Sequence, residues 1–253
     1  MAQKSKQWAA IIMMIALFAM IAFVTNLCSP MATIVKNQFG ASELAGQIGN
    51  YANFIAYLVM GIPSGMLIAK LGYKKTALLA LIVGIVGIVF EYLSGVVGSY
   101  VIYLVGAFIS GLCMCMLNTV VNPLLNVLGG GGKTGNQLIQ IGGAANSAAA
   151  VAVYILMGAL IGEVTKSTGI SDATPALIIA GVIFVIAFVI LLFTKIEEPE
   201  QAKVELSLIT GALKFRQLSL GALAIFLYMS VEVGTPTYMI SYLQTPEVGL
   251  SAG

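Results

Sequence analysis

Seven stretches of this chain are apolar enough and long enough to cross a bilayer. They cover residues 8–29, 44–69, 76–97, 100–128, 137–162, 175–194 and 217–243. A membrane-spanning helix needs about 20 mostly apolar residues, whereas a barrel strand is about 10 residues of strict alternation. Each stretch is a long continuous run, so helix is the reading. In lipid the backbone must satisfy its own hydrogen bonds, which leaves only helices and closed barrels. The expected fold class is therefore an all-α integral membrane protein. Composition agrees: only 9% of the 253 residues are charged, against roughly 25% in a soluble domain. No linker between stretches is long enough for a soluble domain.

The basic residues fall on alternate loops. Lys4, Lys6, Lys70, Lys74, Lys75, Lys133, Lys195, Lys203, Lys214 and Arg216 lie on one side of the membrane. Lys36 and Lys166 lie on the other. Positively charged loops stay in the cytoplasm, so the N-terminus is expected there, in a multi-pass plasma (inner) membrane protein. The first stretch is too long for a signal sequence and has no small-residue cleavage site after it, so it is read as a retained span.

Helix ends are signalled locally. Ser42-Glu43 suits the start of the second helix. Thr174-Pro175 suits the N-cap and first position of the sixth. The four glycines 129–132 end the fourth, because glycine is the poorest helix former after proline. The longest connection, 195–216, opens with a charged run, and Leu206, Ile209 and Leu213 recur there at the spacing of a short interfacial helix. Glycines stud the spans: Gly61 and Gly65, Gly84 and Gly87, Gly142 and Gly143. They read as small residues that let helices approach closely.

Polar groups inside a span are costly and usually face the bundle interior or a water-filled cavity. The second helix carries Asn50, Asn53 and Tyr57 at i, i+3 and i+7. The fourth carries Asn118, Asn122 and Asn126, four apart, with Pro123 expected to kink it. The fifth carries Gln137, Gln140 and Ser147, with Asn146 beside them. The seventh carries Tyr228, Glu232 and Thr235. Amides and phenols offer donors and acceptors together, which suits recognition of sugar hydroxyls. Asn50, Asn53, Tyr57, Asn118, Asn122, Gln140, Asn146 and Glu232 are the candidate substrate-binding set. The alternative for each is an interhelical hydrogen bond with no ligand.

Glu232 sits near the middle of the seventh stretch, where a carboxylate needs a cavity or a partner; its insertion costs on the order of 3 kcal/mol. It is the candidate proton-coupling residue. Glu91, towards the outer end of the third stretch, is expected to snorkel to the interface. Cys28, Cys113 and Cys115 read as small apolar packing residues; an i, i+2 pair points to different helix faces. With no His in the chain, a zinc or haem site has poor support. No metal, cofactor or nucleic-acid partner is expected. Nothing forms a nucleophile–base pair, so an enzyme is not expected either.

The segment GMLIAKLGYKK, from Gly65 to Lys75, resembles the cytoplasmic loop motif of the major facilitator superfamily. Gly65, Lys70, Gly72, Lys74 and Lys75 match it, while Ala69 stands where that family usually has Asp. NPLLNVLGGGG, from Asn122, resembles a segment of the fucose/galactose/glucose:proton symporter family. Asn146-Ser147 and the seventh stretch, with Glu232, are similar to the same family's fifth and seventh helices. The pattern from Lys36 to Leu67 is similar to its first two. Two acids of that family are replaced, by Ser29 and Asn118.

The resemblance implies two six-helix bundles that rock around a midplane cavity. Residues 1–194 would form the N-terminal bundle, 195–216 the cytoplasmic central loop, and 217–253 the first helix of an incomplete C-terminal bundle. It implies transmembrane transport of a hexose or deoxyhexose (fucose, galactose or glucose) by alternating access in the full-length parent, with a proton as possible co-substrate and the C-terminal half as the missing partner. The alternative is a diverged transporter-like membrane protein with a binding or sensor role.

Overall fold

The computed structural model describes residues 7–40, 42–162, 168–196, 198–199, 211 and 214–243. Lys4, Lys6, Lys166, Lys203 and the interfacial segment with Leu206, Ile209 and Leu213 lie outside the described residues, as does the side chain of Ser29. The chain divides into two compact units, residues 1–201 and 202–253.

The first unit is a helical bundle. Helix α1 spans Trp8–Phe39, α2 Glu43–Leu71, α3 Tyr73–Val97, α4 Tyr100–Leu128, α5 Gly132–Ile161 and α6 Thr174–Phe193. A 3₁₀ turn, Ile170–Ala173, leads into α6. The described part of the second unit is one long helix, α7, Arg216–Leu243. Among the described residues, six helices are long and apolar enough to cross a membrane, those of the first unit.

Helix α1 runs ten residues past the end expected at 29, straight through Pro30. Proline costs the helix one hydrogen bond and a local clash. Beyond it Met31, Ala32, Ile34 and Val35 are buried, and that packing outweighs the defect. At 1.5 Å per residue the helix is about 48 Å long, more than the roughly 30 Å hydrocarbon core. Gly40 ends it in the left-handed region (φ 58°), its N–H turned back to the carbonyls of Asn37 and Lys36.

Other ends follow their chemistry. The Ser42 hydroxyl accepts from Ala45 N at 3.2 Å and starts α2 as expected. Helix α6 begins one residue earlier than expected. Thr174 is already helical, and the 3₁₀ turn supplies the entry that a Thr N-cap would have given. Helix α5 likewise starts at Gly132 rather than 137, because Gly130, Gly131 and Gly132 make the turn with φ of 85°, 73° and 54°.

Helix α4 is the hub and packs on α1, α2, α3 and α5, while α6 packs chiefly on α3 and also touches α1. Close approach rests on particular glycines. A methyl at Gly84 would overlap the Phe184 ring of α6, and one at Gly87 would lie 2.5 Å from Ser110 Oγ of α4. Gly142 meets Phe18 in the same way, at 2.8 Å. Gly61, Gly65 and Gly143 have nothing within 4 Å. The Gly61–Gly65 pair therefore does not bring helices together; its face of α2 is open, and Ser64 between them makes the inward contact.

Candidate functional site

Single polar side chains of α2, α4 and α5 bond across to neighbouring helices, Asn53 and Asn146 to α1 and Asn118 to α2. On α2, Asn50 and Asn53 are buried and Tyr57 is half-buried. Asn53 Nδ2 reaches Cys28 Sγ of α1 at 3.2 Å. Asn118 Nδ2 of α4 donates to the Tyr57 hydroxyl at 2.9 Å. Asn122 Nδ2 donates to the Asn118 carbonyl one turn back, at 3.1 Å. Asn146 Nδ2 of α5 donates to the Phe18 carbonyl of α1 at 2.9 Å. Each of these three half-buried amides spends a donor on the scaffold, and no described protein group bonds its Oδ1.

Three enclosed side-chain oxygens of α1 and α2 have no well-formed hydrogen bond among the described residues: Asn53 Oδ1, Gln47 Oε1 and Thr25 Oγ1, the last near the Tyr57 hydroxyl. Buried polar atoms are normally paired, so unpaired ones call for a water or a ligand group. Thr25 was not singled out in the sequence. Its signal is a hydroxyl within an apolar span, beside Asn26 and one turn before Cys28. Ser64 and Thr119 were also missed; their hydroxyls meet at 2.9 Å between α2 and α4. Thr119 also donates to the Cys115 carbonyl at 2.8 Å. It stands four residues before Pro123, which has no N–H to offer the Thr119 carbonyl.

Gln140 is placed differently. Its side chain is exposed on α5, as are Gln137 and Ser147. Asn126 lies at the C-terminal end of α4, where its Nδ2 donates to Asn136 Oδ1 at 3.0 Å. Glu232 is exposed on α7, one turn after Tyr228, in the second unit.

Glu91 corrects the expectation most clearly. It does not reach the interface. Only 6% of it is exposed, and its Oε1 accepts from Ser110 Oγ at 2.9 Å, between α3 and α4. The face opposite, with Val86, Val89 and Leu93, is the exposed one, so the carboxyl is turned inward rather than out to headgroups. The three cysteines are free and buried, as packing residues would be.

The loop motif has no loop. Helices α2 and α3 are separated by Gly72 alone, at φ 88°. Lys70 lies on the last turn of α2, and Lys74 and Lys75 on the first turn of α3. Lys74 Nζ donates to the carbonyls of Leu192 and Thr194 at 2.9 and 2.8 Å, closing the C-terminal end of α6. The Glu198 carboxylate accepts from the backbone N–H groups of Tyr73 and Lys74, at 2.9 Å each. With Ala69 in place of the family's acid, Glu198 supplies the anion at this turn.

The family model of the major facilitator superfamily matches residues 12–253. The chain belongs to the major facilitator superfamily. It is 25% identical over 242 residues to a glucose/galactose transporter of Brucella abortus, covering 93% of this chain and 58% of that protein. It is 22% identical over 264 residues to the L-fucose-proton symporter of Escherichia coli, covering 94% and 60%. It is 26% identical over 250 residues to a putative glucose/galactose transporter of Helicobacter pylori, again covering 94% and 60%. The chain thus spans about three-fifths of the length of these relatives. A crystal structure of the facilitator FucP in the outward conformation superposes with a TM-score of 0.78 at 18% identity, over 94% of this chain and 64% of that one. This facilitator chain is a multi-pass membrane protein with the superfamily's helical fold.

Proposed function

We propose that this chain is the greater part of a sugar transporter, and that the seam of Tyr57, Asn118, Asn122 and Asn146 contributes its substrate-binding wall. The observation that carries the reading is the amide geometry. Three amides from α4 and α5, each half-buried, are fixed by their donors and keep their acceptor oxygens free. A sugar presents several hydroxyls, each a donor and an acceptor. Thr25 Oγ1 and Asn53 Oδ1 would complete the deeper side of the site, and Asn50 would support Asn53 one turn away. Gln140 would join from the exposed face of α5.

The substrate class is a hexose or deoxyhexose such as glucose, galactose or fucose, the sugars named for the relatives. Residues 1–194 would form the first of two bundles, 195–216 the central loop, and 217–253 the opening helix of the second. Gly65, Lys70, Gly72, Lys74 and Lys75, with Glu198, would hold the cytoplasmic ends of α2, α3 and α6 as the bundles rock. Glu232 of α7 would carry a coupling proton. The placement of Lys and Arg supports a cytoplasmic N-terminus in a plasma (inner) membrane.

Uptake of radiolabelled glucose, galactose and fucose by cells expressing the protein in its full length tests the reading. Saturable uptake of at least one, reduced tenfold or more by Asn122→Ala, is expected. Background uptake of all three would contradict it.

A further inference from the structure

We propose that Glu91 is a proton-binding site held between α3 and α4, built apart from the amide seam. The inference deepens the transport reading and rests on it only for the link to sugar.

Glu91 sits in a recess made for it. Its Oε1 takes a hydrogen bond from Ser110 Oγ of α4 at 2.9 Å. Across the interface a methyl at Gly106 would lie 2.8 Å from both Glu91 Cγ and Glu91 N. One turn away on α3, a methyl at Gly87 would lie 2.5 Å from Ser110 Oγ. Two bare backbones thus admit a carboxyl and a hydroxyl where apolar side chains would otherwise pack.

Among the described residues, no cation pairs with Glu91. The titratable groups facing Glu91 are Tyr103 of α4 and Cys28 of α1, and neither becomes a cation. Helix α6 has no ionisable residue. On α2, Tyr51 and Lys70 are exposed and Tyr57 is engaged by Asn118. Asp172 of the 3₁₀ turn accepts from Gly169 N. A buried carboxylate without a partner is costly, and binding a proton removes the charge. Ser110 serves both states: its hydroxyl donates to a carboxylate and accepts from a carboxylic acid. The step is simple, one proton added to a carboxylate oxygen and later returned, with no other bond changed.

The recess also connects to the seam. Gly111, next to Ser110, presses on α2 on the other flank of α4, where a methyl would lie 2.5 Å from Asn53 O. Asn53 is the residue with the unpaired Oδ1. A proton arriving at Glu91 changes the load on Ser110, and through one residue of α4 on the α2 contact at Asn53.

The experiment is an infrared pH titration of the purified chain in nanodiscs, following the C=O stretch of protonated carboxyls. The expected result is a pH-dependent band that is lost in Glu91→Gln and moves to higher frequency in Ser110→Ala, where the hydrogen bond is gone. Identical titrations of the parent chain and Glu91→Gln overturn the proposal. So does an unmoved band in Ser110→Ala, which also guards against a Glu91→Gln protein that fails to fold. A second arm repeats the titration with glucose, galactose or fucose. A shifted midpoint with one of them is expected. A Glu91 band that no sugar moves leaves the proton site standing and counts against the sugar reading alone.

Discussion

Lys74 and Glu198 are joined through backbone. Lys74 N donates to Glu198 Oε1 at 2.9 Å, while Lys74 Nζ turns to the carbonyls of Leu192 and Thr194. An anion thereby sits on the N-terminal end of α3 and a cation on the C-terminal end of α6. Each charge meets the helix end whose dipole it complements. The first-turn N–H groups of α3 and the last carbonyls of α6, which a helix cannot satisfy internally, are satisfied reciprocally.

Removing Glu198 leaves two amides of α3 without an acceptor. Glu198→Ala is expected to cost about 1 kcal/mol, the usual worth of a cap or a helix-end charge. Lys74→Ala should cost a similar amount. The double variant should cost less than the sum, because both act on one junction. Thermal unfolding of the three variants in one detergent reads this directly, and strict additivity would count against a shared junction.

The open and closed glycines should respond oppositely to a methyl. Gly87→Ala drives a carbon against Ser110 and is expected to destabilise by about 1–3 kcal/mol, the range for overpacking. Gly61→Ala meets nothing and should be neutral, or stabilise by up to about 1 kcal/mol from helix propensity. Melting curves for the pair check the assignment of the two faces of α2 and α3.

Cys28, Cys113 and Cys115 are buried and free. A membrane-permeant maleimide should leave all three unlabelled in the folded chain and label all three after denaturation. Mass spectrometry of the intact protein counts the adducts, and rapid labelling of Cys113 in the native state would contradict the packing of α3, α4 and α6.

Much of this was legible in the chain, and for definite reasons. The spans showed because apolar length is a local property, as was the Ser42 cap. The stripe Asn50–Asn53–Tyr57 showed because helical period places i, i+3 and i+7 on one face. What stayed hidden depends on neighbours distant in sequence. Glu91 and Ser110 are nineteen residues apart on different helices, so burial could not be told from snorkelling. Glu198 caps a helix 124 residues before it. Gly61 and Gly84 look alike in sequence and differ only in whether another helix arrives. The first span was read to end at 29 because the packing that carries α1 on to Phe39 is tertiary.

The central claim is that the amide seam binds a sugar. Its most direct test is the thermal stability of the purified chain with and without glucose, galactose or fucose, beside Asn122→Ala and Asn118→Ala. A ligand at 100 times its dissociation constant stabilises by about 2.7 kcal/mol, a shift of several degrees. The account predicts that shift with at least one sugar and its loss in both variants. A shift of equal size in Asn122→Ala and Asn118→Ala, or none with any of the three sugars, would contradict it.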